Sequence, residues 1–519
     1  MICLAELFQD GMVLQREQPV RVWGESDRVQ ELCVLLNGTE LLTAELGKGS
    51  FEVYLPPQKA CENGILTLRT DDGRSLVLTG IDIGEVWIAG GQSNMEFLLK
   101  YDREGELTAV RADDAHLRFY DVGEYAFAGE KEEGLKDGSH WDRWMKFCPE
   151  DAPFFSAVGV YFAQRLRAVL QVPVGVVGCN WGGTTASAWL DAKLLREDPK
   201  LCVYTDVYDA AMAKLDLPKY VLHNRILRKR TESERGRAGM DKIMKEETRK
   251  PANALLSTAM SRFTAQQMGP YDQNRPGGLY EMMVKKIAGF TARGVIWYQG
   301  ESDADYARIY DRLFRAVIEC WRAAWKAELP FLFVQLAPFE SWLGCSGRYF
   351  PVLRDRQQRV ADTEPDVWMA SIMDVGSRYD IHPKDKMPVG ERLALLAMGK
   401  VYHMDVPCDA PVMDSIVRNS DSITIHFANA QDGLVVKTAR RSCDEVEKNP
   451  AAAHYFRVRE GEQEIPCDIK IWNDTVTLSS IELYAAEKVS VSFACRPFLV
   501  MTLYNKAGLP AKPFAPMKV

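Results

Sequence analysis

The pattern of apolar and polar positions divides the chain into three regions, and the first of them covers residues 1–80. Short apolar runs alternate there with turn residues, at the spacing that is typical of a small β-sandwich. The predicted strands are Met12–Leu14, Val20–Gly24, Glu31–Gly38, Ser50–Pro57 and Ile65–Leu68. We therefore expect a β-rich domain at the start of the sequence.

From Ile81 to about residue 405 the pattern changes to buried-type strands separated by longer amphipathic stretches. In Val158–Leu170 and Tyr306–Ala324, apolar residues recur every three or four positions, as on one face of a helix. The interleaved apolar strands are Glu85–Ala89, Val172–Val177 and Gly294–Tyr298. This alternation predicts an α/β domain with a parallel sheet covered by helices on both faces.

The stretch from Asn224 to Lys250, within the second region, is dominated by Lys, Arg and Glu. Such a stretch is usually a solvated face, and we interpret it as a charged helical insertion near residues 205–255. After residue 405 the strand pattern returns and predicts a second β-rich domain over residues 406–519. Its clearest strands are Ser422–Phe427, Thr475–Leu478 and Lys488–Phe493.

Composition narrows the classes of partner. A chain of 519 residues is too long for one core, and about three domains are expected. The net charge of -8 argues against nucleic acid, because proteins that bind a phosphate backbone usually present a basic face. No apolar run approaches the ~18 residues that cross a membrane, so no membrane partner is expected.

The first residues and the cysteines bear on the compartment. Met1–Leu14 contain Glu6 and Asp10 and lack an apolar core, so we expect no signal peptide and a cytoplasmic protein. A processed secreted form is the alternative. The 12 cysteines are scattered without a C-x-x-C pair, which favours reduced thiols over a zinc site or a disulfide framework. We expect neither a cofactor nor a metal.

A candidate nucleophile follows the strand Glu85–Ala89. Gly90 and Gly91 allow a tight turn with unusual backbone angles, and Ser93 stands just beyond it. A turn of this kind can present a hydroxyl for attack, although Met95 occupies the place of the second glycine in a G-x-S-x-G elbow. The alternative is a serine that caps a helix.

A serine nucleophile requires a base, and His382 is the best candidate among seven histidines. It lies in an irregular stretch after the apolar strand Val367–Met373, with Asp380 two residues before it and Asp374 eight before it. Either carboxylate would fix the imidazole tautomer and stabilise the imidazolium that forms when the serine is deprotonated. The alternative is a loop histidine beside an acidic residue.

Donors for a developing oxyanion follow two other strands. Gly182 and Gly183 come after Val174–Val177 and offer backbone N–H groups, while Gln299 comes after Gly294–Tyr298 and offers a side-chain amide. All the candidate segments lie beyond the carboxyl ends of apolar strands, where ligands bind in open α/β sheets. Their arrangement, rather than any one residue, predicts an acyl-transfer site.

These segments resemble the sequence blocks of SGNH-type hydrolases, and in particular those of the sialate O-acetylesterase family. The resemblance is carried by Gly91–Glu96 (GQSNME), Trp181–Thr184 (WGGT), Trp297–Ser302 (WYQGES) and Asp380–Lys386 (DIHPKDK). It extends over nearly the whole chain, from Met12–Arg16 to Leu503–Asn505. The family implies a flavodoxin-like three-layer α/β/α hydrolase core flanked by β-sandwich-like domains.

The resemblance also implies roles for single residues. Ser93 would be the nucleophile, His382 the base and Asp380 its orienting acid. The oxyanion hole would consist of the Ser93 N–H, a Gly182 or Gly183 N–H and the Gln299 amide. Two positions depart from the family: Ser187 stands where an acidic residue is frequent, and Asp380 precedes His382 by two residues rather than three. Asp374 or a backbone carbonyl therefore stays open as the group that orients the imidazole.

The predicted function is a serine esterase that hydrolyses O-acetyl groups from carbohydrates through an acetyl-enzyme, with O-acetylated sialic acid as the expected substrate. Acetylated xylan or another plant oligosaccharide is the alternative substrate. A glycosidase that pairs Glu301 with Asp303 is a weaker alternative, because near-adjacent carboxylates do not straddle a glycosidic bond. The non-catalytic alternative is a carbohydrate-binding protein with a relict hydrolase core. The oligomeric state is left open.

Overall fold

The computed structural model of the chain describes residues 2–131, 140–231, 233–246, 267–437 and 455–519. Its described residues divide into two compact units. The first unit comprises Met1–Lys245, Ala265–Gln299 and Arg312–Phe331, and the second contains Gly300–Asp311 and Leu332–Val519, each apart from residues outside the described ranges.

The first unit is built around a mixed sheet. Its strands are β1 (Ile2–Leu4), β2 (Val13–Gln15), β3 (Val20–Ser26), β4 (Gln30–Leu36), β5 (Thr39–Leu46), β6 (Gly49–Leu55), β7 (Cys61–Thr70), β8 (Ser75–Gly91), β9 (Asp114–Asp121), β10 (Trp144–Phe147), β11 (Val174–Asn180) and β12 (Gly294–Tyr298). Strands β1, β3 and β6 form a small antiparallel sheet, and β4 pairs with β5 and β7.

The long strand β8 belongs to two kinds of sheet. Its first half pairs with β7 in the antiparallel sense, and its second half lies between β11 and β12 and is parallel to both. Every residue from Ile81 to Gly91 is buried, as expected for a parallel strand covered on both faces. The predicted boundary after residue 80 lies inside this strand, and the three-domain division stays a prediction.

Helices cover the parallel part of the sheet. Phe162 in helix Ala157–Leu170 contacts Trp87 of β8 edge-on, with ring centroids 5.1 Å apart. Trp321 in helix Tyr310–Trp325 contacts Trp297 of β12 at 5.5 Å. The other α-helices of this unit are Ser93–Glu96, Gly105–Val110, Ala192–Glu197, Cys202–Met212, Leu217–Thr231, Glu234–Lys245 and Lys285–Ile287, with a π-helix at Tyr280–Val284 and 3-10 turns at Leu99–Tyr101, Ala152–Phe154 and Ala186–Trp189.

A buried carboxylate anchors the start of the parallel part. Glu85 of β8 accepts hydrogen bonds from Arg16 at 2.6 Å, Arg293 at 2.9 Å and Gln15 at 3.1 Å. Burial alone would raise the pKa of Glu85, but its donors, led by Arg293, hold that pKa below the ordinary value. Because Gln15 ends β2, which is parallel to β8, and Arg293 precedes β12, this cluster ties β2 and β12 to β8.

The second unit contains β13 (Phe331–Val334), which pairs with β16 (Val367–Ala370), and a short hairpin of β14 (Ser341–Trp342) with β15 (Cys345–Ser346). Its α-helices are Phe350–Thr363 and Met387–Leu396, followed by a π-helix at Ala397–Val401, and its 3-10 helices are Glu301–Ile309, Gly347–Tyr349 and Ile481–Tyr484. His382 lies in the irregular stretch between β16 and helix Met387–Leu396.

The last part of this unit is β-rich. Its strands are β17 (Val412–Arg418), β18 (Ser422–Ala428), β19 (Leu434–Val436), β20 (Phe456–Glu460), β21 (Gln463–Ile465), β22 (Asp468–Trp472), β23 (Thr475–Ser479), β24 (Val489–Phe493), β25 (Leu503–Asn505) and β26 (Phe514–Lys518). Two four-stranded antiparallel sheets have the orders β17-β18-β23-β22 and β21-β20-β24-β26. Alternate residues of β18 are buried, because one face of its sheet packs on a core that includes Ile425, Val476 and Phe493.

Most predicted elements occur near their expected places. Gly294–Tyr298 has the predicted bounds, whereas the stretch Tyr306–Ala324 begins within the 3-10 helix Glu301–Ile309 and becomes α-helical at Tyr310. In the charged region the described residues form helices Leu217–Thr231 and Glu234–Lys245, and residues 247–250 lie outside the described ranges. Among the helices in those ranges, none has the length and apolarity to traverse a lipid bilayer.

Candidate active site

Three of the candidate segments leave the sheet at the same edge. Gly91 of β8 stands in register with Asn180 of β11 on one side and with Tyr298 of β12 on the other. Ser93 comes two residues after this line, the glycine pair follows Asn180, and Gln299 follows Tyr298. The carboxyl ends of β8, β11 and β12 therefore place these three segments at one edge of the sheet.

The turn before Ser93 requires glycine. Gly91 has φ +132°, and a Cβ at this position would lie 2.1 Å from the carbonyl oxygen of Tyr298. The next N–H, that of Gln92, donates to the same carbonyl at 2.9 Å. Ser93 then opens the short helix Ser93–Glu96 and is partly exposed. The backbone presents the serine at the edge of the sheet, where a nucleophile needs to stand.

The glycine loop lies directly against this helix. A Cβ at Gly182 would come within 3.2 Å of the Ser93 Cβ and within 2.9 Å of Glu96 Oε2. The Gly182 N–H donates to that Glu96 oxygen at 2.5 Å. Glycine at 182 is thus needed for close approach, and its N–H is directed at Glu96, a carboxylate to which sequence reasoning assigned no role.

A second pair of side chains holds the loop from another segment. Gln273 Nε2 donates to the Gly182 carbonyl at 2.8 Å, and Asn274 Nδ2 donates to the Gly183 carbonyl at 3.1 Å. Asn274 also accepts the Thr185 N–H through Oδ1 at 2.8 Å. Sequence reasoning missed Gln273 and Asn274 as well.

Gln299 is fully buried at the end of β12. Its side-chain amide donates to the Thr184 carbonyl at 3.1 Å, and the Thr184 hydroxyl donates to the Trp181 carbonyl at 2.7 Å. Gln299 is therefore oriented by the glycine loop itself.

His382 and Asp380 lie together in the second unit, where both are buried. Asp380 Oδ1 accepts the His382 backbone N–H at 2.9 Å and lies 3.8 Å from the imidazole Nδ1. Its other oxygen faces Lys384 Nζ at 3.1 Å. The ring of Trp342 packs edge-on against the imidazole, with centroids 5.0 Å apart. The imidazole is thus enclosed by an aromatic ring and a carboxylate.

This environment keeps the imidazole neutral. Burial, and then the positive charges of Lys384 and Lys386, hold the pKa of His382 well below its usual range. A neutral imidazole is the form that accepts a proton.

Asp374, the other candidate acid, has a structural partner. Its two oxygens accept hydrogen bonds from the guanidinium of Arg392 at 2.6 and 2.8 Å, and the Tyr504 hydroxyl donates to it at 3.3 Å. Such a bidentate pair between buried groups is a rigid connection. The carboxylate of Asp374 is therefore engaged by helix Met387–Leu396.

Ser187, the departure from the family pattern, is buried, its hydroxyl lies 2.8 Å from that of Thr185, and its carbonyl accepts the Gly277 N–H. It therefore supports the glycine loop from within.

Over the part of the chain that the structure describes, no group of three or more His, Cys, Asp or Glu side chains is arranged to hold a metal ion.

Known proteins resemble this chain in sequence and structure. The family described as carbohydrate esterase, sialic acid-specific acetylesterase, matches residues 239–397. The sialate O-acetylesterase of Mus musculus is 28% identical over 381 residues, which cover 68% of this chain and 61% of the mouse protein. The sialate O-acetylesterase of Homo sapiens is 27% identical over 382 residues, covering 68% of this chain and 58% of the human one. The matched part thus spans less than two thirds of these relatives.

A crystal structure described as that of a novel carbohydrate acetylesterase from Xanthomonas citri superposes with a TM-score of 0.74 at 28% identity. The superposition covers 99% of each chain. It confirms the predicted fold class, a hydrolase α/β core of SGNH type with β-rich domains. The chain is thus similar, over residues 239–397, to the carbohydrate esterases described as sialic acid-specific acetylesterases, and over nearly its whole length to a carbohydrate acetylesterase.

Proposed function

We propose that this protein is a serine esterase that removes O-acetyl groups from carbohydrates, with O-acetylated sialic acid as its substrate. The observation that carries the proposal is the edge at which β8, β11 and β12 end, where Gly182 lies against Ser93. An acyl-transfer site needs an exposed hydroxyl beside fixed N–H donors, and this edge offers both. The match of residues 239–397 to the sialic acid-specific acetylesterase family supports the substrate class.

The proposed reaction has two steps. Ser93 Oγ attacks the acetyl carbonyl while His382 accepts the hydroxyl proton. The tetrahedral intermediate collapses to an acetyl-enzyme, and the sugar hydroxyl leaves with the proton from the imidazole. A water molecule, deprotonated by His382, then releases acetate. The partnership of Ser93 with His382 is part of the proposal, and the depressed pKa of His382 supports it because the base is neutral before each step.

The oxyanion hole is proposed to use three donors: the Ser93 N–H, the Gly183 N–H and the Gln299 amide. We favour Gly183 over Gly182 because the Gly182 N–H already donates to Glu96. A carboxylate at that position would repel the negative oxygen of a tetrahedral intermediate. Gly183 is exposed, with φ +71°, and follows directly in the loop.

For His382 we propose Asp380 as the orienting acid. Asp380 lies within 3.8 Å of the imidazole Nδ1, whereas both oxygens of Asp374 accept hydrogen bonds from Arg392. A carboxylate beside the ring stabilises the imidazolium that forms during the reaction.

The test measures acetate release from O-acetylated sialic acids, acetylated xylo-oligosaccharides and p-nitrophenyl acetate. We expect turnover of the sialic acid esters, loss of all turnover in Ser93→Ala, and covalent labelling of the wild type alone by a fluorophosphonate. Ser75→Ala, at the exposed start of the same strand, is the matched control. Preference for the xylo-oligosaccharides would overturn the substrate, and full activity of Ser93→Ala would overturn the mechanism.

A further inference from the structure

One helix of the charged insertion is buried along a polar face. Tyr220, Asn224 and Arg228 of helix Leu217–Thr231 are only 2%, 3% and 9% exposed. Steps of four residues place them on one side of the helix, while Lys229 is exposed. The helix is therefore docked on the protein through polar side chains, and the solvated insertion that the charge pattern indicates is only its outer face.

Arg228 and Tyr220 hold both backbone groups of a single residue. The Arg228 guanidinium donates to the Tyr271 carbonyl at 3.0 Å, and the Tyr220 hydroxyl accepts the Tyr271 N–H at 3.0 Å. The guanidinium also pairs with the buried carboxylate of Glu130 and is held by Asn224 Oδ1 at 2.8 Å. The backbone of Tyr271 is therefore held through both its N–H and its carbonyl group.

The segment that starts at Tyr271 leads directly to the glycine loop. Asp272 Oδ1 accepts the Asn274 N–H at 2.9 Å and so closes a tight turn after Tyr271. Beyond this turn, Gln273 and Asn274 donate to the carbonyls of Gly182 and Gly183. The insertion helix is thus connected to the candidate oxyanion hole through one ordered turn.

The hydrogen bond to the Gly182 carbonyl also restrains the Gly183 N–H, because the peptide bond is planar. The carbonyl of Gly182 and the N–H of Gly183 belong to one peptide group and point in opposite directions. Gln273, by holding the carbonyl, fixes the direction of the Gly183 N–H. Without such a restraint a glycine pair would sample many backbone angles, and a misdirected donor would stabilise the oxyanion poorly.

We propose that helix Leu217–Thr231 is a positioning element of the esterase site, in which Arg228 fixes Tyr271 and thereby sets Gln273 on the glycine loop. The proposal rests on the proposed function. Arg228 touches no reacting atom, and its effect reaches the reaction through the direction of the Gly183 N–H. The charged insertion therefore contributes to the site by positioning the glycine loop.

The experiment compares Arg228→Gln with its neighbour Lys229→Gln on p-nitrophenyl acetate, a substrate too small to need a binding surface on the insertion. We expect Arg228→Gln to lower kcat about 10- to 100-fold with little change in KM, because a small displacement of a donor is costly. Lys229→Gln should match the wild type. Arg228→Lys, which keeps the charge beside Glu130, should recover part of kcat.

A mutant cycle separates positioning from general damage. Gln273→Ala should lower kcat to a similar extent. The double variant Arg228→Gln with Gln273→Ala should lose no more kcat than the more impaired of the two single variants, because both residues act through one contact. If Arg228→Gln does not fold, Glu130→Gln is added to remove the orphaned carboxylate. Additive losses, or wild-type kcat in Arg228→Gln, would overturn the proposal. Activity that survives Ser93→Ala would instead overturn the proposed function.

Discussion

Glu96 accepts the backbone N–H of Gly182 at 2.5 Å, three residues after Ser93 in the same short helix. One side chain therefore connects the helix of Ser93, the proposed nucleophile, to the glycine loop. On the opposite side, Gln273 holds the carbonyl of Gly182. The loop is restrained through both of these polar groups, so its position relative to Ser93 depends on the two side chains together.

Removing the Glu96 carboxylate should impair the reaction more than the fold. We expect Glu96→Ala to lower kcat about 10- to 100-fold on p-nitrophenyl acetate, because the loop shifts relative to Ser93. Glu96→Gln keeps an oxygen acceptor and should lose less, since a neutral acceptor makes a weaker bond. Steady-state kinetics with Glu106→Ala as the exposed control measure the effect. Wild-type kcat in Glu96→Ala would show that the contact does not position the loop.

Replacing Asp380 or Asp374 by asparagine should have different effects on kcat and on stability. Asp380→Asn removes the negative charge beside His382 and should lower kcat on the order of 100-fold or more, with a modest change in thermal stability. Asp374→Asn breaks the buried pair with Arg392 and should cost about 3–5 kcal/mol in stability. The folded fraction of Asp374→Asn should keep most of its kcat.

Kinetics and thermal melting of both variants, made at equal protein concentration, separate these effects. Asp380 is the orienting acid only if its variant has the larger loss of kcat per folded molecule. The reverse ranking would assign the role to Asp374 in spite of its pairing with Arg392.

The sequence predicts the parts of the site that lie at the ends of strands. It does not predict the parts that depend on which polar side chains are buried against distant segments. Gly91 is foreseeable, since a glycine turn after an apolar strand is a local signal. Gln273 is not, because it meets Gly182 from 91 residues further along the chain. On the insertion helix the pattern is reversed, with Leu222 62% exposed and Arg228 buried. Reasoning from hydrophobicity places the apolar face inward, so it misses a helix that docks through ion pairs and hydrogen bonds.

The acid limb of the pH profile should depend on Lys384. Because the pKa of His382 lies well below 6.5, the base is still neutral in mildly acidic solution, and kcat/KM should fall only at lower pH. Lys384→Gln removes a positive charge that opposes imidazolium formation and leaves Asp380 without that partner. Both changes raise the pKa of His382, so the acid limb should move to higher pH.

The measurement is kcat/KM against pH for the wild type, Lys384→Gln and the exposed control Lys470→Gln. The control should leave the limb in place, as Lys470 lies in β22 of the C-terminal β-rich part. A limb that moves to lower pH in Lys384→Gln would contradict the assignment of His382 as the titrating base.

Asp272 should make the protein less stable at neutral pH than an uncharged residue would. Burial raises its pKa to about 6, outweighing the Asn274 N–H and the charge of Arg228. Since the folded state binds the proton more tightly than the unfolded state, this group costs stability increasingly as the pH rises from about 4 to 6. Above that range the cost is at most about 3 kcal/mol.

Asp272→Asn keeps an oxygen that can accept the Asn274 N–H and removes the buried charge. We therefore expect its melting temperature to exceed that of the wild type at neutral pH, and the difference to shrink toward zero as the carboxyl becomes protonated in acid. Melting curves across this range measure the difference, with the exposed Asp113→Asn as control. A gain that is equal at neutral and acid pH would mean that packing or chain entropy, and not the charge of Asp272, is responsible.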